Sequence, residues 1–347
     1  MDVQLEAEKS RLAPDFIGAG PWINSEPLSV EDIIVRKNVK ILMVAFLTYT
    51  RAKCIRFLST LNDWWKKYHF SNAWWKKHHD QRFLIVGVIE PEFSFEKDWS
   101  YVARFIEENK IEWPVLLDPD STLSKAYGCV ELPDVYIIDG TGLIRHHFSG
   151  EGKEIQAEIA IQQMIREIDP SAEIPQIQQK VPKLECFPTS PDLYCGYLKG
   201  NLGNPSGFHR DDISRYEDPH VYEEGFIHLN GLWECKPESV RHARNTTNLQ
   251  DHIAFAYRGV EVYAVIGPAE ESDEFQVFVM LDGGPVPGKM AGKDLVLEHG
   301  WSWFTVTEPR AYEIIKDKEY GFHALRFTSN SDKFEAFDFT IGGCLVK

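Results

Sequence analysis

Residues 40–58, KILMVAFLTYTRAKCIRFL, constrain this chain more than any other stretch. The apolar run 41–47 reads as a buried strand, and it passes through Thr48-Tyr49-Thr50 into a helical pattern that begins near Cys54. Ile55, Leu58, Leu61 and Trp65 fall on one face of that helix, which should run for about 15 residues. Strand, loop and thiol-bearing helix therefore follow one another within nineteen residues.

The pattern continues downstream. Residues 83–89 form a continuous apolar run, as expected of a strand covered on both faces. Residues 96–110 carry Trp99, Val102, Phe105 and Ile106 at helical spacing. A strand at 113–117, a helix at 121–127, strands at 135–139 and 143–148 around Gly140-Thr-Gly142, and a helix at 151–168 complete the order β-α-β-α-β-α-β-β-α. That order predicts a parallel sheet with one antiparallel edge and helices on both faces. Ahead of it, residues 14–35 read as turns or a hairpin, with Ser29-x-x-Asp32 as a cap for a short helical turn.

One local repeat stands out. WWKKYH at Trp64 recurs as WWKKHH at Trp74, and on a continuous helix a ten-residue offset turns by roughly 280°, so the copies would not share a face. A Lys/Trp/His patch for an acidic partner or membrane surface is one reading. A solvated helix end with Trp rings packed inward is the other.

With 347 residues, two domains are expected. The break falls at residues 169–188, which hold four prolines in twenty residues, giving a first domain at 1–170, a linker at 171–188 and a second domain at 189–347. Beyond the linker come short alternating runs at 225–229, 232–235, 252–257, 261–266, 275–281, 295–297, 303–306, 311–315, 323–328 and 336–341, separated by turn signals. They predict an all-β sandwich of jelly-roll type.

Composition narrows the function classes. A formal charge of -16 works against nucleic acid, because phosphate contacts need clustered Lys and Arg. The N-terminus is acidic and polar and no run of about 18 apolar residues occurs, so a soluble, cytoplasmic protein without a transmembrane segment is expected. The six cysteines are scattered, with Cys186 and Cys195 the nearest pair, so reduced thiols packing as small apolar side chains are the default. His209, His220, His228, His242 and His252 lack metal-ligand spacing, and neither a metal nor a cofactor is predicted.

Several motifs then converge. Trp22-Ile-Asn-Ser-Glu-Pro-Leu28, Thr48-Tyr49, Cys54-Ile55-Arg56, Pro91-Glu92-Phe93 with Phe95-Glu96-Lys97, Leu132-Pro133 and Gly150-Glu151-Gly152 resemble the redoxin-type thioredoxin domain of DipZ-like proteins, relatives of the TlpA/ResA reductases. The resemblance implies a thioredoxin fold over residues 12–168, with Pro133 as a cis-proline shaping a substrate groove. Ser190-Pro-Asp-Leu-Tyr-Cys-Gly196, Leu281-Asp282-Gly283, Gly292-Lys293-Asp294 and Phe337-Asp-Phe-Thr-Ile-Gly342 resemble the domain that follows it in that family, a carbohydrate-binding-module-like sandwich. DipZ itself carries a membrane electron-relay part ahead of both; none is expected here, so an extracytoplasmic reducing role lacks its electron source.

The family motif D-F-W-T-Y-(S/T)-C-x-N-C is degenerate in this chain. Positions 45–54 read Ala45, Phe46, Leu47, Thr48, Tyr49, Thr50, Arg51, Ala52, Lys53, Cys54, so Arg51 replaces the attacking cysteine and Ala45 the buried acid. Leu47 and Leu132 stand where the family usually has Trp. A dithiol cycle needs both sulfurs. Two readings follow. In the first, Cys54 acts alone on a protein thiol, small thiol or peroxide, its thiolate favoured by Arg51, Lys53 and the helix N-terminus, with Thr50 nearby and Pro133 lining the groove. An Arg-flanked thiolate is similar to that of peroxiredoxins, but Phe46 and Arg51 fill the offsets of their Pro and Thr; Cys129 is the candidate resolving thiol. In the second, Cys54 is a packing residue in a non-catalytic scaffold, and the groove or the sandwich holds a protein or glycan partner. Trp301 and Trp303, on one side of a strand, either form a sugar platform or fill the core.

Overall fold

The computed structural model describes residues 11–16, 18–70, 83–177, 184–269 and 274–346. The chain divides into two compact units, Met1–Tyr49 with Lys53–Val181 and Thr50–Ala52 with Pro182–Lys347.

In the first unit the strands are β1 (Trp22–Ile23), β2 (Ile41–Leu47), β3 (Phe83–Ile89), β4 (Val115–Leu117), β5 (Asp134–Asp139) and β6 (Ile144–Ser149), in spatial order β1-β4-β3-β2-β5-β6. The helices are α1 (Ala52–Trp64), α2 (Trp99–Glu108), α3 (Thr122–Tyr127) and α4 (Glu154–Ile168). Every residue of β2 and β3 is buried, as continuous apolar runs require when both sheet faces are covered. Gly87 in β3 has a packing role: a Cβ there would lie 2.1 Å from the Trp113 ring, so only glycine lets that buried indole rest on the strand. The Trp113 Nε1–H donates to Asn62 Oδ1 at 3.1 Å.

The sheet departs from the expected single antiparallel edge. β2, β3 and β4 are parallel, β5 and β6 run antiparallel on one side, and β1 closes the other side antiparallel to β4. Two residues of β1, drawn from a Gly/Pro-rich lead-in, are too few for any periodicity to announce. Ser29 does cap a helical turn: its Oγ accepts from the Asp32 N–H at 2.9 Å and donates to Asp32 Oδ2 at 2.7 Å.

The first copy of the repeat belongs to the core. Trp64, Trp65 and Tyr68 are buried, Trp65 stacks on His69, and Lys67 pairs with Glu158. The second copy, 74–79, lies outside the described residues.

The second unit is built from β7 (Leu184–Cys186), β8 (Leu193–Tyr194), β9 (Ile213–Tyr216), β10 (His228–Cys235), β11 (Val240–His242), β12 (His252–Pro268), β13 (Phe275–Leu281), β14 (Gly284–Pro285), β15 (Val296–Glu298), β16 (Trp301–Val306), β17 (Arg310–Thr328), β18 (Phe334–Gly342) and β19 (Cys344–Val346). Eleven of these form one sheet, and β18 pairs with both β11 and β12, so the sheet closes on itself as a β-barrel or sandwich around an apolar core. Runs expected as separate strands are joined: 252–257 with 261–266 in β12, and 311–315 with 323–328 in β17. Gly259 and Gly321 face each other there. They sit at a register shift instead of a turn, and a Cβ on Gly259 would meet Ile341 Cγ2 at 2.6 Å.

The expectation of six reduced thiols fails for one pair. Cys186 and Cys344 are joined by a disulfide across a sequence separation of 158, on a two-stranded ribbon of β7 and β19 apart from the main sheet. Scattered spacing does not reveal a partner that far along the chain.

Candidate functional site

The head of α1 is positioned by β2, which is buried from end to end and leads straight into Thr48, Tyr49 and Thr50, all themselves buried. α1 opens at Ala52, so Cys54 sits in its first turn. The sulfur-bearing side chain is only 1% exposed and belongs to the apolar cluster that includes Leu58, Leu61 and the β2 residues. Ala45 is fully buried in mid-strand, paired with Gly87 and Val135, so the family's acid position is filled by a methyl group inside the core.

Each of the other expected site residues has a definite place. Arg51 is half-buried immediately ahead of the helix. The Lys53 ammonium donates to Glu131 Oε1 at 2.8 Å. Pro133, two residues beyond Glu131, follows a cis peptide bond, as the resemblance implies. The Lys53–Glu131 pair thus brings the helix head and the cis-proline segment together. Arg56 and Glu151 come from two of the quoted motifs, and they form a two-pronged ion pair at 2.7 and 2.9 Å. Those motif residues hold α1 to the loop before α4, which is a structural task.

Glu96 is the residue that pattern reading passed over. It is fully buried, its Oε2 accepts from the Thr48 hydroxyl at 2.5 Å and its Oε1 accepts from the Phe93 N–H at 3.3 Å. A buried carboxylate is uncommon. The degenerate site has lost the acid on its strand and keeps another one beside the loop. Its only signal in the sequence is membership of the Phe95-Glu96-Lys97 motif.

Cys129, the candidate resolving thiol, is a free cysteine and is half-buried. Burial pushes its thiol well above the ordinary range, and the charges of Asp134 and Glu90 add to that against a hydrogen bond with Tyr136. Such a thiol stays protonated and is a poor nucleophile. Asp134 is fully buried and satisfied by His147 Nε2 at 2.6 Å and by the Val130 N–H at 3.1 Å. The His147 ring stacks on Tyr136 at 4.3 Å.

In the second unit Trp301 is 52% exposed and Trp303 half-buried, while their neighbours Ser302 and Phe304 point inward. Neither indole fills the core. Strand register places other residues on the same outer face: Trp303 stands opposite Phe278, Phe278 opposite Thr328, and Met280 opposite Arg326. Trp301 meets Phe278 edge-on at 5.7 Å. Next along the face, Asp218 accepts from the Tyr222 hydroxyl and pairs with His252 Nε2, both at 2.8 Å, with the Arg326 guanidinium at 3.5 Å. Trp301, Trp303 and Phe278 thus form an aromatic cluster on the outer face, next to a largely enclosed Asp218–His252 pair and a half-exposed Arg326.

Two family models match the chain: the AhpC/TSA family over residues 11–147, and the Thioredoxin like C-terminal domain over residues 190–342. Protein DipZ from Mycobacterium tuberculosis and from Mycobacterium bovis are each 24% identical over 271 residues, which is 77% of this chain and 36% of theirs. The chain therefore spans about a third of the length of these relatives. Thiol-disulfide oxidoreductase YkuV of Bacillus subtilis is 23% identical over 137 residues, 40% of this chain and 82% of its own. A thioredoxin-like protein solved in its oxidized form is 21% identical and covers 46% of this chain and 97% of its own, with a TM-score of 0.37. The chain carries a thioredoxin-like, DipZ-related redoxin superfamily fold without an adjacent CxxC pair, joined to a separate β-barrel or sandwich.

Proposed function

We propose that this chain is a binding protein, in which a non-catalytic thioredoxin-like scaffold accompanies a β-sandwich that holds a glycan on the face of Trp301, Trp303 and Phe278. One contrast carries the reading: Cys54, the thiol left at the degenerate site, is 1% exposed, whereas Trp301 is 52% exposed. A sulfur enclosed in an apolar core does not meet a substrate, whereas an exposed indole next to a second aromatic ring offers a surface that a ligand can cover. Sugars present apolar C–H faces ringed by hydroxyls. The aromatic cluster suits the first, and the half-exposed Arg326 guanidinium next to it suits the second. The charge of -16 opposes a nucleic-acid ligand.

Two measurements on the full chain test this. A glycan microarray should give a ligand whose affinity, checked by titration calorimetry, falls at least about tenfold in Trp301→Ala. Dimedone trapping after peroxide, read by peptide mass, should leave Cys54 unmodified. A sulfenate or glutathione adduct at Cys54 would overturn the scaffold reading in favour of single-cysteine chemistry with Arg51, Lys53, Thr50 and Pro133 around it.

A further inference from the structure

The chain's one disulfide lies outside the degenerate site. We infer that Cys186–Cys344 is a reversible thiol–disulfide exchange site whose substrate is an exogenous dithiol. Cys186 is exposed and Cys344 half-buried, which places the disulfide at the surface, where an incoming thiolate can approach. The other four cysteines are poor competitors: Cys54, Cys195 and Cys235 are buried, and burial raises the thiols of Cys129, Cys195 and Cys235.

The surroundings make the bond consequential. Cys344 stands directly opposite Cys186, with Leu345 opposite Glu185 and Val346 opposite Leu184, and these pairs make up the whole ribbon. A two-stranded ribbon of that length does not hold itself together in water. Up to Gly343 the chain has a separate anchor, because the Phe187 N–H donates to the Gly343 carbonyl at 2.9 Å and a Cβ on Gly343 would meet Phe187 O at 2.4 Å. Beyond Gly343 the cross-link adds a covalent tie to the backbone pairing of β19 with β7.

The exchange balances as follows. One thiolate of the dithiol attacks Cys186 Sγ, the Sγ–Sγ bond breaks, and Cys344 leaves as a thiolate that takes up a proton. The second thiol of the reagent, deprotonated, then displaces Cys186 from the mixed disulfide. The reagent is oxidised to its disulfide, and the protein gains two electrons and two protons. Oxidised reagent reverses both steps.

The test uses the native full chain equilibrated in graded ratios of reduced and oxidised dithiothreitol, quenched with N-ethylmaleimide and read by intact and peptide mass. The expected result is a single transition from no adduct to two, both on Cys186 and Cys344, reversed by oxidised reagent. Cys344→Ser should instead give one adduct, on Cys186, without reductant. Labelling of both cysteines in the untreated oxidised chain would show that the bond does not form and would overturn the inference. A bond that opens only in denaturant would overturn it too, by making the cross-link purely structural. Neither result bears on Cys54 or on glycan binding, so this inference and the proposed function fail separately.

Discussion

The head of α1 and the outer face of the β16–β13 sheet treat their side chains in opposite ways. At the first, the fold has the strand, the helix and the cis-proline of a thioredoxin-like frame, Arg51 and Cys54 stand at its head without a C-x-x-C pair, and Ala45 and Cys54 both pack in the core. At the second, the core is filled by Val277, Val279, Phe304 and Val306, while the alternate positions put aromatic rings outward. Burial along β2 and β3, Ala45 included, stabilises the frame whether or not its site carries out chemistry. An outward aromatic face contributes less to folding than a buried one and stays available for contacts at the surface.

The comparison is most strongly tested through the frame itself. Trp113→Ala should cost about 3–5 kcal/mol in urea unfolding, because it empties the space over Gly87 and removes the hydrogen bond to Asn62 Oδ1. A loss of under about 1 kcal/mol would mean that the frame does not rest on this contact. In the second unit, Asp251 is 1% exposed and held by Arg244 through two bonds of 2.7 Å, and by His242 and the Leu232 N–H. Burial alone would raise its pKa, but these partners outweigh burial and hold the carboxyl down at about 2. A folded-state pKa below the ordinary 3.8 means that the stability contributed is complete above about pH 4 and disappears as pH falls through about 2. Asp251→Asn should therefore lose on the order of 3 kcal/mol at neutral pH, with the gap to the unaltered chain closing on acidification. A gap independent of pH would assign the loss to packing.

Smaller effects sharpen the outer face and the helix head. Trp301→Ala should leave the unfolding midpoint within about 0.5 kcal/mol of the unaltered chain while removing at least about 1.4 kcal/mol of glycan affinity. Loss of stability in place of affinity would make the indole a packing residue. Lys53→Ala should change stability by under about 0.5 kcal/mol, since the Lys53–Glu131 pair is partly solvated on both sides at 37% and 52% exposure.

Much of the frame was legible in the chain. The runs behind β2 and β3, the Ser29 cap and the cis-proline position are written in local periodicity or short motifs, and the structure has them. Of the expected α1 face, Leu58, Leu61 and Trp65 are in the core, while Ile55 is outside it and Trp65 lies just past the helix end. β1 escaped because two residues have no period. The two long strands β12 and β17 were cut in half because Gly259 and Gly321 look like breakers, although in a sheet they permit a register shift and close packing. Glu96 was visible as a letter in a motif and invisible as a buried acid, since its burial involves Thr48, 48 residues away, as well as the local Phe93 N–H.

By itself the sequence determined the succession of elements, the absence of a C-x-x-C pair at the head of α1 and the apolar Ala45 in β2, all of which are local facts. Tertiary structure alone decided that Cys54 is enclosed, that Trp301 and Trp303 face outward, and that Cys186 meets Cys344 across 158 positions. The physical reason is the same in each case. Periodicity says which residues share a side of a strand or helix, but which side meets the core, and which distant segment pairs with it, depends on long-range packing that no short window contains.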